Sequence, residues 1–373
     1  MMLDRRQFIG ATLALGALGS APARAAATTT DAAMRRFITA LPKAELHLHL
    51  EGTLEPDMKF ALAARNGITL PYADVAAMRA GYRTIHDLTS FLKVYYEGFA
   101  VLLTEQDFYD LTYAYLKHAA AQTVLYTEMF FDPQQHLSRG VPMAAVVGGI
   151  TRARADAARD LGIASQLILC FLRELSVESA MATLDAAAPF KRDIVGIGLD
   201  SEERGNPPAK FAAVYARARR EGYRLTAHCD VNQIDTLGHI REAIDLLGVE
   251  RIDHGGNIVE SPELVALAKA RNLFFTVCPT FSGVAGDGAS RTNVVRAMLD
   301  RGLQVTISSD DPAYMDDNYI AESMLIAQHD SALTRADLIT ISRNSFNAAW
   351  IAPDQRDAYL AQLDRFAQNW AAA

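Results

Sequence analysis

The sequence predicts an α/β chain folded as a (β/α)8 TIM barrel with a helical insertion after the first strand. Eight short apolar runs of strand character follow one another, most of them separated by helical stretches. His and Asp residues stand at the ends of several of these runs, where barrels of this type carry their chemistry. No Gly-x-Gly-x-x-Gly and no phosphate-loop pattern supports the competing doubly wound open sheet.

The first residues read as an address. Arg5-Arg6-Gln7-Phe8-Ile9 carries a twin arginine, an apolar run from Ile9 to Gly19 follows, and Ala23-Arg24-Ala25 offers an Ala-x-Ala cleavage site. That run is too short for a membrane span, and no later stretch is long and apolar enough to be one. Residues 1–25 are therefore expected to be a twin-arginine signal peptide that sends the chain to the periplasm. Residues 26–373 are expected to form one barrel domain with no membrane association after cleavage.

Thr28 to Asp31 reads as a polar linker and Ala32 to Ala40 as a short helix. The stretch Ala44-Glu45-Leu46-His47-Leu48-His49-Leu50-Glu51-Gly52 is the first strand, and its period of two puts His47 and His49 on one side. From Leu54 to about Val101 the pattern turns helical, with apolar residues at helical spacing in 87–96. This insertion is expected either to roof the barrel mouth or to complete the outer core. Further strands are expected at Val124–Phe131, Ser165–Phe171, Ile194–Asp200, Arg224–Cys229, Arg251–His254, Phe274–Cys278 and Leu303–Ser309. Helices are expected at Pro142–Asp160 and Ile240–Leu247, and a helical tail from Ala332 is expected outside the barrel.

Half of the residues are apolar, which suits a large core, and the net charge is −8. With no basic run, the chain is not expected to bind nucleic acid or an anionic membrane. Cys170, Cys229 and Cys278 are too few and too widely spaced for a disulfide framework, so they read as small buried residues.

The strand ends carry the candidate chemistry: His47, His49 and Glu51 on the first, His228 and Asp230 on the fifth. Asp253-His254-Gly255 ends the sixth, and Ser309-Asp310-Asp311-Pro312 ends the eighth. Three imidazoles and a carboxylate, His47, His49, His228 and Asp310, make a reasonable shell for Zn²⁺ with room for water. Water on zinc loses a proton near neutral pH, and His254 from the adjoining strand could take that proton. Asp311, beside a ligand, could hydrogen-bond a substrate. His86, His118, His136, His239 and His329 read as surface or helix residues, and Glu128 and Asp132 as partners of backbone or Arg. Tyr95-Tyr96 and Phe130-Phe131 read as packing.

These motifs together resemble the adenosine/adenine deaminase family of the amidohydrolase superfamily. Leu41-Pro42-Lys43 with 44–52, Asp253-His254-Gly255 and Ser309-Asp310-Asp311-Pro312 are similar to its first-, sixth- and eighth-strand motifs. Phe130-Phe131-Asp132-Pro133-Gln134, Gly198-Leu199-Asp200-Ser201 and Gly205-Asn206-Pro207-Pro208 are similar to the adenine-deaminase branch, and Arg343-Asn344-Ser345-Phe346 to its C-terminal helix. The resemblance covers nearly all of residues 26–373. It implies a zinc-dependent hydrolysis of adenosine, adenine or a related 6-aminopurine with release of ammonia. It further implies one zinc per chain on His47, His49, His228 and Asp310, activation of water by His254, and contact of Asp311 with the purine N7.

One position departs from the family. The family reads His-Ala-Gly-Glu at the fifth strand, and its Glu protonates the purine ring during attack at C6. Here the residues are His228-Cys229-Asp230-Val231-Asn232-Gln233, and Val231 cannot donate a proton. Asp230, one residue away and on the same strand face as His228, is the expected catalytic substitute. Glu203 falls where the family has a glycine facing the purine; it is expected to contact a substrate edge, with crowding of adenine or a solvent-facing place as the alternatives. Two alternatives remain beside deamination: hydrolysis of another 6-substituted purine, and a periplasmic metal-containing purine-binding pseudoenzyme. The cytidine-type zinc deaminases need Pro-Cys-x-x-Cys, which Cys278-Pro279 does not supply.

Overall fold

The computed structural model describes the backbone of residues 21–229, 233–280 and 294–371. Helix α1 (Ala21–Ala40) leads into β1 (Lys43–His49). The expected linker at Thr28–Asp31 is instead part of α1. The alanines on both sides have the highest helix propensity, and three threonines do not outweigh them. The cleavage motif at 23–25 lies in this helix, and the twin arginine lies outside the described residues.

After β1 comes the helical insertion: α2 (Pro56–Asn66), α3 (Val75–Tyr82) and α4 (Leu88–Gly98), followed by α5 (Glu105–Ala121). Asp74 and Asp87 cap α3 and α4 by accepting from backbone N–H groups, and Thr104 caps α5 with a reciprocal Asp107 bond. The units then alternate: β2 (Val124–Phe131), α6 (Pro133–Ser138), α7 (Met143–Asp160), β3 (Ala164–Leu172), α8 (Val177–Ala187), β4 (Ile194–Asp200), α9 (Ala212–Arg220). They continue with β5 (Arg224–Cys229), α10 (Thr236–Glu242), β6 (Arg251–His254), α11 (Pro262–Ala270), β7 (Phe274–Val277), α12 (Val294–Asp300) and β8 (Gln304–Ile307). A five-residue π-turn, Ala243–Leu247, extends α10.

All eight strands pair in sequence order, and every strand pair is parallel. Closure between β8 and β1 comes through one parallel bridge, Leu48 to Asp310. Asp310 N donates to His47 O and His49 N donates to Asp310 O, each at 3.1 Å. The bond pair that closes the barrel therefore also holds Asp310 against the two histidines of β1. Because both faces of these strands are covered, most strand residues are buried, as parallel sheets require.

The tail is helical, as α13 (Ile320–Asp330), α14 (Arg335–Ala348) and α15 (Pro353–Ala371). It does more than pack outside. Ser345 Oγ accepts from Ala44 N at 3.0 Å, and Trp350 lies where a Cβ on Gly196 would come within 2.3 Å of its ring. Arg251 is stacked at 3.6 Å on the Trp350 ring and is 2.5 Å from Glu128. The segment after α14 thus closes the end of the barrel opposite the site. Glu128 pairs with Arg, as its sequence position led us to expect. No helix among the described residues is long and apolar enough to cross a membrane.

Candidate active site

The C-terminal ends of β1, β5 and β8 bring four of the expected groups to one point. His49 Nε2 and His47 Nε2 each lie 3.1 Å from His228 Nε2. Asp310 Oδ1 is 3.2 Å from His47 Nε2 and 3.5 Å from His49 Nε2. All four side chains are buried.

The protons on these rings are fixed from behind. His47 Nδ1 lies 3.0 Å from Thr276 O and His228 Nδ1 lies 3.1 Å from Leu199 O, so both rings donate outward to carbonyls. Their Nε2 lone pairs then face one another and a carboxylate. Such a set of acceptors repels itself unless a cation sits between them, and the 3.1–3.5 Å edges match donors about 2 Å from a common zinc ion. The donor set fits the metal.

Electrostatics agree with this reading. Burial, and after it the charge of His47, lowers His49 to a pKa of about 3. Burial and the three neighbouring imidazoles hold His228 well below the usual range. Burial alone would raise Asp310, but His47 and His254 outweigh it and keep the carboxylate ionised. For His47, burial pulls down and the Asp310 charge overcomes it, so its net shift is upward.

His254 reaches the same point from β6, with Nε2 3.7 Å from Asp310 Oδ2. Burial lowers its pKa to about 3, with His47 and His49 adding to the shift against the charge of Asp310, so the ring is neutral. His254 and Asp310 both hold positive φ, 61° and 65°. Non-glycine residues in this region store strain that a packed site must hold in place. Glu45 supplies part of that hold: its Oε1 accepts from Ser309 N at 3.0 Å and Ser309 Oγ at 2.6 Å.

Asp311 stands beside these four converging groups, under Gly52. A Cβ on Gly52 would sit 2.0 Å from Asp311 Oδ1 and 2.8 Å from its Cα, so only glycine permits this approach. Burial first, then the Asp310 charge, raises the Asp311 pKa well above the usual carboxylate range. A neutral Asp311 carboxyl can donate a hydrogen bond to a ring nitrogen.

The pocket over these groups is roofed by Leu88, Phe91, Leu92, Tyr95 and Tyr96 of α4. This settles the two expectations for the insertion in favour of a roof. Its remaining wall holds Asp132, Asp200 and Ser201, none of which the sequence singled out for this place. Asp132 was expected to meet backbone or Arg. It instead faces Asp200, because β2 and β4 both end at the same side of the pocket. Burial and the Asp200 charge raise Asp132 well above the ordinary range, and burial raises Asp200 to about 7.

Glu203 is buried but lies outside the pocket lining. Its carboxylate meets Arg173 at 3.2 Å and His239 Nδ1 at 2.5 Å. Arg173 in turn donates to the carbonyl of His228 at 3.1 Å. The expected purine contact of Glu203 is thereby corrected: a buried guanidinium draws the carboxylate to itself. His239 and His136 are on helices but are not surface residues, since each pairs with a buried carboxylate, Glu203 and Glu51. Asp230, Val231 and Asn232 lie outside the described residues. The three cysteines are buried, as expected.

Comparison with known proteins agrees with this geometry. The adenosine deaminase family profile matches residues 42–366. The chain belongs to the adenosine deaminase family. It is 54% identical to an uncharacterized deaminase of Schizosaccharomyces pombe over 337 residues, 90% of this chain and 99% of the other. It is 48% identical to an adenine deaminase of Rhodospirillum rubrum, covering 88% of this chain and 97% of that protein. Among solved structures, the adenine deaminase of Arthrobacter aurescens superposes with a TM-score of 0.83 at 40% identity, over 90% and 100% of the two chains. A Burkholderia ambifaria amidohydrolase with bound Zn gives 0.81 at 32%, over 91% and 95%. This family member is thus a purine deaminase by its fold, its family and its relatives.

Proposed function

We propose that this deaminase converts adenine or a related 6-aminopurine and water into the 6-oxopurine and ammonia, with one zinc ion per chain. The observation that carries the proposal is the convergence of three Nε2 atoms and Asp310 Oδ1 beside the Asp311 carboxyl. His47, His49, His228 and Asp310 would hold the ion. When bound, zinc at such a site acts as a Lewis acid that makes water a nucleophile near neutral pH.

The remaining work falls to side chains of this chain. His254, neutral and beside Asp310, accepts the proton given up by the attacking water and returns it to the departing amine. Asp311 donates to N7 and fixes the purine plane beneath the aromatic roof of α4. Addition at C6 places electron density on N1, which must gain a proton as the tetrahedral adduct forms. With Val231 in the family's Glu position, we assign that donor role to Asp230. Glu203, through Arg173, acts as a positioning residue for the end of β5 that carries His228.

The names of relatives at 44–48% identity, all adenine deaminases, support the substrate class. Arg5-Arg6, the following apolar run and Ala23-Arg24-Ala25 support twin-arginine export of the chain to the periplasm. The reaction is tested by measuring ammonia from a panel of 6-substituted purines. Release from 6-amino members supports the proposal. Release only of other 6-substituents, or purine binding without any release, would replace it.

A further inference from the structure

Beyond the groups used above, the pocket contains polar atoms that the fold leaves unmatched. Tyr95 and Asp132 line it with side chains 3% and 1% exposed. Among the described residues Tyr95 Oη has no hydrogen-bond partner, and the Asp132 carboxyl meets only the facing carboxyl of Asp200. Asp132 lies against Asp200 and near Glu51, so its neighbours are further acids. Among the described residues, no Lys or Arg lines the pocket. Buried acceptors of this kind are rarely left unmatched, and ones facing a cavity are matched by what enters it.

The place of the pair indicates which part of a purine it meets. His49 lies between the metal point and this wall: its Nε2 faces His228, and its Nδ1 is 3.6 Å from Asp200 Oδ2. Tyr95 stands over the same ring, with centroids 6.4 Å apart. The amine-bearing carbon must lie at the metal point, so the opposite edge of the base lies toward Asp132 and Tyr95. A neutral 6-aminopurine has two kinds of N–H donor, the exocyclic amine and one imidazole N–H. The amine is held at the reacting end. The imidazole N–H is the donor left for Asp132, and a sugar at N9 removes it.

Resting on the deaminase reading above, we propose that Asp132, aided by the Tyr95 hydroxyl, is the specificity determinant that reads the free N9–H of the base. Asp132 accepts that N–H, while Tyr95 donates to the adjacent ring nitrogen N3. A nucleoside leaves the carboxyl unmatched and brings its sugar against a wall of acids. A nucleotide adds a phosphate to a pocket with no cationic side chain among its described lining residues.

The test is calorimetric titration of the zinc-loaded full chain with purine and with 9-methylpurine, neither of which carries an amine to lose. The parent should bind purine tighter by on the order of 10²-fold or more, since a site built around a substrate N–H rejects the analogue lacking it. Asp132→Ala should weaken purine binding and bring the two ligands within about threefold of each other, as the unmatched acceptor is gone. Tyr95→Phe should weaken both ligands, because N3 is present in each. If Asp132→Ala leaves purine affinity intact and only improves 9-methylpurine, the residue acts by bulk and the proposal is overturned. Equal binding of the two ligands by the parent also overturns it. Asp132→Asn, which keeps one acceptor oxygen and the side-chain volume, should retain part of the preference and controls for folding. Discrimination without ammonia release from adenine would leave this inference standing and remove the deaminase reading. Ammonia release from adenine with no discrimination would do the reverse.

Discussion

His49 Nε2 and His228 Nε2 stand 3.1 Å apart although 179 positions separate the residues in the chain. His228 Nε2 lies equally close to His47 Nε2, and because both of those rings donate through Nδ1 to carbonyls, their facing lone pairs call for a shared cation. Removing a ligand should therefore remove the metal. His228→Ala and Asp310→Ala are expected to purify with well under one zinc per chain, measured by elemental analysis. Chelation of the parent should lower its thermal midpoint, because the ion binds only the folded arrangement. Undiminished zinc in both variants would contradict the ligand set.

Asp230→Asn should keep zinc and folding but lower turnover by roughly 10²-fold, the scale of general acid catalysis. The amide has nearly the volume of the acid, so lost packing does not explain the loss. Turnover equal to the parent would assign the proton to another donor.

Gly52→Ala should act through Asp311. The added methyl meets the Asp311 backbone as well as its carboxyl, so a rotamer change cannot relieve the clash. A displaced Asp311 no longer aligns the ring, and kcat/KM should fall by about 10²-fold while zinc content stays unchanged. Unaltered kinetics would show that the Gly52 approach does not position Asp311.

Lys59 gives a pH-dependent stability test. It is buried, donates to Tyr82 Oη and Tyr314 Oη at 2.6 Å each, and burial lowers its pKa from 10.5 to about 7. Between those two values the unfolded chain holds a proton that the folded chain does not, so this group's contribution to stability rises with pH. Below about 7 both states are protonated and the slope vanishes. Lys59→Met abolishes the effect. Urea unfolding should show the parent gaining on the variant between about pH 7 and pH 10, by at most a few kcal/mol. A difference constant across that range would contradict the lowered pKa of Lys59.

Much of this site was readable because strand geometry writes it locally. A His-x-His pair on a strand must share a face, and Asp253-His254 and Asp310-Asp311 end strands of their own. Wall residues were harder to read. Asp132 and Asp200 become neighbours only because β2 and β4 end at one side of a closed barrel, a convergence no local pattern records. Tyr95 resembled core packing because a helix roofing a pocket has the same apolar period as one covering a core. Glu203 was misread for a different reason. Its partners Arg173 and His239 lie 30 and 36 residues away, and only the fold shows that they hold it. Asp132 and Asp200 both occur in the motifs Phe130–Gln134 and Gly198–Ser201, the signal by which they could have been found.

Export can be checked in cells. With Arg5 and Arg6 both changed to Lys, the precursor should accumulate in the cytoplasm, measured by fractionation and N-terminal sequencing. Unchanged export would remove the twin-arginine assignment.

The central claim is tested most directly by quantifying ammonia when the zinc-loaded chain is mixed with excess adenine. The account predicts many turnovers, with one ammonia for each 6-oxopurine formed and loss of both in Asp310→Ala. A zinc-replete chain that binds 6-aminopurines yet releases no ammonia from any of them would contradict it.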